Sequence, residues 1–518
     1  MIASRLSYNR ARSGDGGAQA TALGMGGPGS SMTDDVGISG FAVYVPPYRV
    51  DLESWCRWTQ NVWDKTRAVV GHSFRMRGPA QSVYTMAATA VMRLIDRYGI
   101  DPNRVGFLGL GTESSTDNSA GAVIVKGMLD EGLQAQGRLP LSRHCEVPEI
   151  KHACLGGIYA LKQALRYLAL EREDRCAIVV SADIAEYARG SSGEPTQGAG
   201  AVAMLIERNP KLLKVHLEHI GSASSYRAVD FRKPVLRNII RGKLNCHFQD
   251  LPVFNGKYST TCYLDETLHA LNDMARRMGR EPSDYYRELA AIFMHRPYHR
   301  MPEQSFAMSY LFGLAQDGSR GRAELEHHCD RAQMSVASVL EEMQSKPNIL
   351  DLVKDGNIDA DAYPLSIQLL KEFRGSQEFS ALVAAKMSLG SEPMKDIGNV
   401  YCAALPAWMA AGLEDAHQRN TDLAGRKMLA VGYGSGDAAE AIPMTVADEW
   451  RTAAARIGFS AALEPHQDLT QAQYESLHDT GTAQGLHDPD QGFVIQSIGS
   501  SANPKFSDEG IEYYRFVR

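Results

Sequence analysis

The sequence predicts an α/β protein built from two similar halves. Three observations carry that prediction. Short apolar runs of strand length alternate with longer amphipathic runs of helix length. Several apolar runs lead straight into polar or glycine-rich loops, as Val105–Gly111 leads into Thr112-Glu113-Ser114 and Met428-Leu-Ala-Val-Gly-Tyr leads into Gly434-Ser435-Gly436. The alternation also comes in an early set and a late set, which suggests two α/β halves facing each other.

Composition bounds the reading. The chain has 518 residues, 44% hydrophobic and 22% charged, which suits a soluble globular protein with two domains or one large duplicated core. A net charge of -7 argues against general nucleic-acid binding, so any anion site must be a local basic patch. Eight cysteines without a CxxC pair form neither a disulfide framework nor a zinc site, and they point to a reducing, cytoplasmic setting. No apolar run approaches the roughly 18 residues a membrane span needs.

Residues 1–31 are rich in Gly, Ser and Ala and read as a disordered leader, with Met32 as an alternative start. They hold no apolar core for a signal peptide. Arg5, Arg10 and Arg12, with no acidic residue before Asp15, leave an organellar targeting peptide open.

Order begins at a strand over 36–47, closed by Pro46 and Pro47. A helix is expected over 84–98, then a buried strand over Val105–Gly111. Glu113 follows at that strand's carboxyl end in a Ser/Thr/Asn loop, a place that suits an α/β active site as well as a solvated carboxylate.

Cys154 stands at the centre of the chain's most telling stretch. Leu155 to Leu170 carries apolar residues at helical spacing, which places Cys154 at, or one residue before, the first turn of a buried helix. Unpaired N–H groups and the helix dipole there favour a thiolate, and Gly156-Gly157 allow a substrate or backbone close to the sulfur. A structural cysteine packed as a small hydrophobe is the alternative.

A strand over 176–182 then leads to Tyr187, and Thr196-Gln197-Gly198-Ala199-Gly200 leads into another strand, so small residues pack tightly beneath a site. Residues 231–243 hold Arg232, Lys233, Arg237, Arg241 and Lys243 with no acidic residue: a solvated face, or a docking surface for phosphates of coenzyme A or of a carrier-protein arm. His295, at the end of an apolar stretch, is followed by Arg296, His299 and Arg300. The stretch 303–390 is mostly charged helix. Its His327-His328-Cys329-Asp330 run is a poor chelate, because adjacent helical residues face different ways, and no metal is expected. Asn399 lies near the start of a long helix, where its amide can cap the helix or face a ligand.

Taken together and in order, Gly111-Thr-Glu-Ser114, His152-Ala-Cys-Leu-Gly-Gly157, Gly193-Glu-Pro-Thr-Gln-Gly-Ala-Gly-Ala-Val-Ala-Met204, Phe293-Met-His-Arg-Pro-Tyr298, Gly398-Asn-Val-Tyr401 and Gly432-Tyr-Gly-Ser-Gly436 resemble the 3-hydroxy-3-methylglutaryl-CoA synthase family of the thiolase superfamily. The resemblance spans roughly 34–518. It implies a thiolase-like fold, two pseudo-twofold βαβαβαββ halves in a five-layer αβαβα arrangement, and a homodimer. The halves would be 34–215 and 216–518, the second with insertions at about 234–251 and 303–390. It implies that Cys154 is the acylated nucleophile, Glu113 the general acid/base and His295 the group at the acceptor's carbonyl. Asn399 would contact the acceptor, Tyr187, Ser435, Gly434 and Thr196 would line the acyl site, and Arg300, Arg232 and Lys233 would meet phosphate. The implied substrates are acetyl-CoA and acetoacetyl-CoA, with no further cofactor.

The residue types suit that chemistry. A thiolate takes an acetyl group, a carboxylate removes a methyl proton, and oriented donors stabilise the enolate in a dry site. Departures bear on the acceptor: Cys402-Ala-Ala stands where hydroxyl or glycine residues are expected, and Arg300 where a lysine is. The alternatives are a relative acting on a β-ketoacyl carrier protein in polyketide β-branching, a ketoacyl synthase (against which Glu113 argues), a Cys-His thiol hydrolase and a non-catalytic scaffold.

Overall fold

The computed structural model describes residues 35–115, 120–171, 173–233, 251–486 and 489–518, with the backbone alone of two strands between 235 and 248. The leader expected at 1–31 lies outside the described residues, as does Arg241 of the basic run.

Strand β1 (Val36–Tyr44) is followed by helix α1 (Val83–Tyr98), strand β2 (Val105–Gly111) and helix α2 (Gly121–Ala135). Short strand β3 (Glu149–Ile150), helix α3 (Gly156–Leu170) and strands β4 (Cys176–Ala185) and β5 (Gly198–Arg208) come next. α1 starts where it does because Ser82 and Thr85 cap each other's backbone N–H, and it stops at Gly99 in the left-handed region.

The second set opens with β6 (Leu213–Val215) and β7 (Gly221–Ser224), and then the hairpin β8 (Val235–Ile240) and β9 (Lys243–Phe248). Helix α4 (Gly256–Met278), strand β10 (Ala291–Met294) and helix α5 (Met301–Gln316) follow, and further helices run to about 384, as the charged pattern predicts. Helix α6 (Ala404–Gln418), strands β11 (Lys427–Gly434) and β12 (Ala438–Val446) and helix α7 (Gln471–Thr480) complete the half.

The principal strands share one sheet in the order β10-β11-β12-β6-β1-β5-β4-β2-β3, with β7 also on β12. Its pairing repeats. β2 and β4 are parallel, then β4/β5 and β5/β1 antiparallel. β10 and β11 are likewise parallel, then β11/β12 and β12/β6 antiparallel. β1 and β6 meet over Gly37 and Ile38 alone, so the two sets join at a narrow seam.

Alternate residues of the early strands serve different cores. Phe41, Phe107, Val179 and Met204 face one; Ala42, Leu108, Ile178 and Leu205 face the other, which α1 and α2 cover. The first core is filled by Leu155 at the N-cap of α3, by Ile158 and Leu165 within it and by Leu405 and Trp408 of α6, with α4 and α5 beyond the late strands. Two helical layers thus sandwich each sheet half, with α3 and α6 in the shared middle layer, which is the five-layer arrangement expected. α3 can sit there because of glycine: a Cβ on Gly111 would lie 2.2 Å from the Gly157 Cα. None of the described helices is long and apolar enough to cross a membrane.

Candidate active site

Cys154 does not sit in the first turn of α3. Leu155 is the N-cap residue, so Cys154 lies just ahead of it. The chain is turned sharply there: Ala153 is in the left-handed region at φ 40, and the Leu155 N–H closes on the His152 carbonyl at 2.9 Å. This presents Sγ to Glu113, 3.6 Å from Oε2.

Glu113 is held by its neighbours. Asp183, at the end of β4, accepts from the Glu113 N–H at 2.8 Å, the Ser114 N–H at 3.1 Å and the Thr112 hydroxyl at 2.9 Å through Oδ1. Its Oδ2 accepts from the Cys402 N–H at 2.8 Å, and the Cys402 thiol donates to the Ala153 carbonyl at 3.0 Å. One buried carboxylate therefore ties the Glu113 loop to the segment braced against the Cys154 turn.

The electrostatics correct the expectation of a resting thiolate. Burial, then the Glu113 carboxylate, pushes the Cys154 thiol well above its ordinary value. Burial and Asp183 push Glu113 up to about 8, against the pull of Lys233 and Lys151. A desolvated site beside two carboxylates outweighs the dipole of a helix that starts only after the cysteine. The sulfur therefore keeps its proton and directs it at Glu113 Oε2.

His295 follows β10, its N–H on the Val431 carbonyl at 2.7 Å and its own carbonyl accepting from the Tyr263 hydroxyl at 2.6 Å. Its ring stacks on Tyr433 at 6.3 Å. Burial alone lowers the imidazole to about 3, so the ring is neutral, and Nδ1 finds no partner among the described residues. A neutral ring can donate or accept a proton but carries no charge.

Cys154 and His295 open on one cavity of about 310 Å³, whereas Glu113 is not in its wall and lies behind the Cys154 sulfur. Cys154, Tyr187, Thr196, His295, Asn399 and Ser435 all line it. Asn399 does both things expected of it: Oδ1 caps the Tyr401 N–H at 3.0 Å, and the residue faces the cavity. Gly434 is not in the wall; it lies under it, where a Cβ would come 2.6 Å from the His152 carbonyl. Absence of a side chain lets the end of β11 bed on the Cys154 turn.

The basic residues behave differently. Arg300 is exposed and turned away from the wall, with Nε donating to the Ala68 carbonyl at 3.1 Å. Arg232 and Lys233 are exposed at the foot of the β8–β9 hairpin and do not line the cavity. Charged side chains seek water, and their backbone neighbours form the wall instead.

Sequence reasoning missed those neighbours. Phe231 and Phe254 flank the hairpin and, with Tyr187 and Tyr401, form edge-on aromatic contacts of 5.6 to 6.5 Å around Cys154. It also passed over Asp183, although that acidic residue stands near the carboxyl end of a buried strand much as Glu113 stands just past one, and this parallel was the available signal. Among the described residues, a group that could hold a metal is Asp230, Cys262 and Asp437, and the Arg227 guanidinium already lies 3.3 Å from Asp437 Oδ2.

The sequence profile for the N-terminal region of hydroxymethylglutaryl-coenzyme A synthase matches residues 32–211, and the profile for its C-terminal region matches 227–479. The chain belongs to the hydroxymethylglutaryl-CoA synthase family. A hydroxymethylglutaryl-CoA synthase from Haloferax volcanii is 26% identical over 401 residues, covering 77% of this chain and 80% of its own. The solved structure of MvaS in complex with 3-hydroxy-3-methylglutaryl coenzyme A is similar at 25% identity and a TM-score of 0.73, over 94% of this chain and all of that one. The curacin biosynthetic pathway HMG synthase, solved with holo donor-ACP, shares the fold at 19% identity and a TM-score of 0.65, over 93% of this chain and 100% of its own. As a hydroxymethylglutaryl-CoA synthase family member, the chain is an acyl-condensing enzyme with the thiolase-like fold.

Proposed function

We propose that Cys154 is acetylated by acetyl-CoA and that the acetyl enolate adds to the ketone of acetoacetyl-CoA, with hydrolysis releasing hydroxymethylglutaryl-CoA. The observation that carries this is the 3.6 Å approach of Cys154 Sγ to Glu113 Oε2 at the base of a cavity with His295 in its wall. Sulfur attacks the acetyl carbonyl, its proton passes to Glu113, and coenzyme A leaves as the thiol by taking that proton. Glu113, again ionised, removes a proton from the acetyl methyl. The carbanion forms the new carbon–carbon bond, and the resulting alkoxide takes the proton back from Glu113. His295 and Asn399 orient the ketone. Water then cleaves the thioester at Cys154. The protons balance without a metal or redox group, so coenzyme A thioesters are the small molecules proposed.

The aromatic ring contacts of Tyr187, Phe231, Phe254 and Tyr401 suit a small acyl group shielded from water. The exposed Arg232, Lys233 and Arg300 suit polyanionic coenzyme A outside the cavity. They equally suit an acidic acyl carrier protein, and the curacin relative solved with donor-ACP supports that second reading for the acceptor. Part of the same proposal is a cytoplasmic homodimer in mevalonate supply. The described cysteines are all unpaired thiols, which suits a reducing compartment.

Intact-mass measurement after acetyl-CoA, followed by free acetoacetyl-CoA or its carrier-protein form, tests the reading. Acetylation absent in Cys154→Ala and turnover on the free thioester support it. Clearance by the carrier-bound acceptor alone moves the function to β-branching, and no acetylation overturns both.

A further inference from the structure

Behind the cavity lies a buried charge cluster for which the proposed chemistry has no use. Arg227 is 4% exposed. Its Nη2 donates to Asp265 and, at 2.9 Å, to Glu266, and its Nε stands 3.3 Å from Asp437 Oδ2. Each of those carboxylates is itself buried. Desolvating so many charges is costly unless they hold one another in fixed geometry, and a planar guanidinium does that where an ammonium would not.

What the cluster joins is more telling than its charge. Asp265 and Glu266 belong to α4, whose earlier turns present Ser259, Thr260 and Tyr263 to the cavity. Asp437 closes the turn that carries Ser435 into the wall. The Arg227 N–H donates to the Gly436 carbonyl at 3.2 Å, and the backbones of Ser225 and Asp437 bond each other in both directions. Three residues after Arg227 comes Asp230, next to the wall residue Phe231. The Tyr258 hydroxyl of α4 donates to the Arg227 carbonyl at 2.9 Å.

A second tie runs through Tyr433, which also lines the cavity. Its hydroxyl lies 2.9 Å from Asp230 Oδ2 and 3.0 Å from Asp437 Oδ1. One O–H cannot donate to both, so one contact needs a carboxyl proton, and burial with Asp230 alongside raises Asp437 to about 9. Tyr363 and His269 face Asp265 from the other side.

We propose that Arg227 and Asp437 are positioning residues: by clamping the Ser435 turn and the Phe231 segment to α4, they fix the acceptor wall and decide how often the acetyl group on Cys154 condenses rather than meets water. This rests on the reading above that Cys154 carries an acetyl group. The readout is the partition between condensation product and free acetate per acetyl-enzyme, a ratio that loss of folded protein does not change.

The full-length protein is given acetyl-CoA and acetoacetyl-CoA, and the partition is measured for wild type, Arg227→Lys, Arg227→Met and Asp437→Leu, with intact mass reporting acetylation. The expected result is retained acetylation and a shift toward acetate of about tenfold in Arg227→Met and Asp437→Leu, with Arg227→Lys between them and wild type. If Arg227→Met does not fold, Asp437→Leu decides, since Arg227 then keeps Asp265 and Glu266. An unchanged partition in the folded, acetylated variants overturns the inference while the reading stands. Wild type that takes no acetyl group overturns the reading and the inference with it.

Discussion

The Asp183 carboxylate accepts the backbone N–H of Glu113 at 2.8 Å, so the position of the acid/base depends on a residue at the end of the neighbouring strand. Asp183→Ala strands the Thr112, Glu113, Ser114 and Cys402 donors that this carboxylate serves. A stability loss of at least about 1–3 kcal/mol is expected. Acetylation of the folded fraction should also slow by about tenfold or more as Glu113 drifts from the sulfur. Urea unfolding and stopped acetylation time courses check the two effects separately.

Glu113 gives two pH signatures. Removal of the methyl proton needs the ionised carboxylate, so single-turnover condensation should rise with pH toward a plateau above about 8. The neutral His295, lowered to about 3, should add no second limb near neutrality. Stability should run the other way. With the folded pKa raised from 4.5 to about 8, the native state holds the proton more tightly than the unfolded chain. That contribution is complete below the unfolded value and is lost as pH rises through the folded one. Glu113→Gln should therefore gain on wild type in urea as pH increases; a pH-independent gap would contradict the assignment.

Gly111→Ala places a Cβ 2.2 Å from the Gly157 Cα and 2.3 Å from its nitrogen, where only backbone movement relieves the clash. A loss of about 1–3 kcal/mol is expected. β2 leads into Glu113 and α3 follows Cys154, so the same variant should also lose acetylation rate, whereas a purely structural cost would leave the rate of the folded fraction intact.

Phe231→Ala opens the ring contact with Tyr401, now 5.6 Å between centroids. Cys154 should then accept a longer acyl chain. Incubation with butyryl-CoA, read by intact mass, should give several-fold more acylated Ala variant than wild type; equal labelling would remove Phe231 from the acyl pocket.

The sequence made the strand–helix order legible because apolar periodicity is local, and β2 begins and ends where its run of Val, Phe, Leu and Gly does. Cys154, His295, Asn399, Tyr187, Thr196 and Ser435 converge because each stands within a few residues of the end of a buried strand or the start of a strand or helix. Hidden from view were properties that exist only after folding. Whether Cys154 rests as thiol depends on burial and on Glu113 41 positions earlier in the chain. Whether Arg300 reaches the cavity depends on the Ala68 carbonyl, 232 positions away. The β12 strand and the pair formed by Gly492–Ile498 and Glu512–Val517 also escaped notice, since short strands gain their identity from the partner they meet.

The narrow β1–β6 seam has a bearing on how the protein is made. Cys154 and Glu113 come from the early strands, while His295, Asn399 and Ser435 come from the late ones. During synthesis the nucleophile and its base leave the ribosome long before the acceptor wall does, but the Cys402 brace on the Cys154 turn comes only with the late set. In a refolding experiment, recovery of thiol acylation should therefore wait for the late set, and any lag before carbon–carbon bond formation times the closing of the acceptor wall.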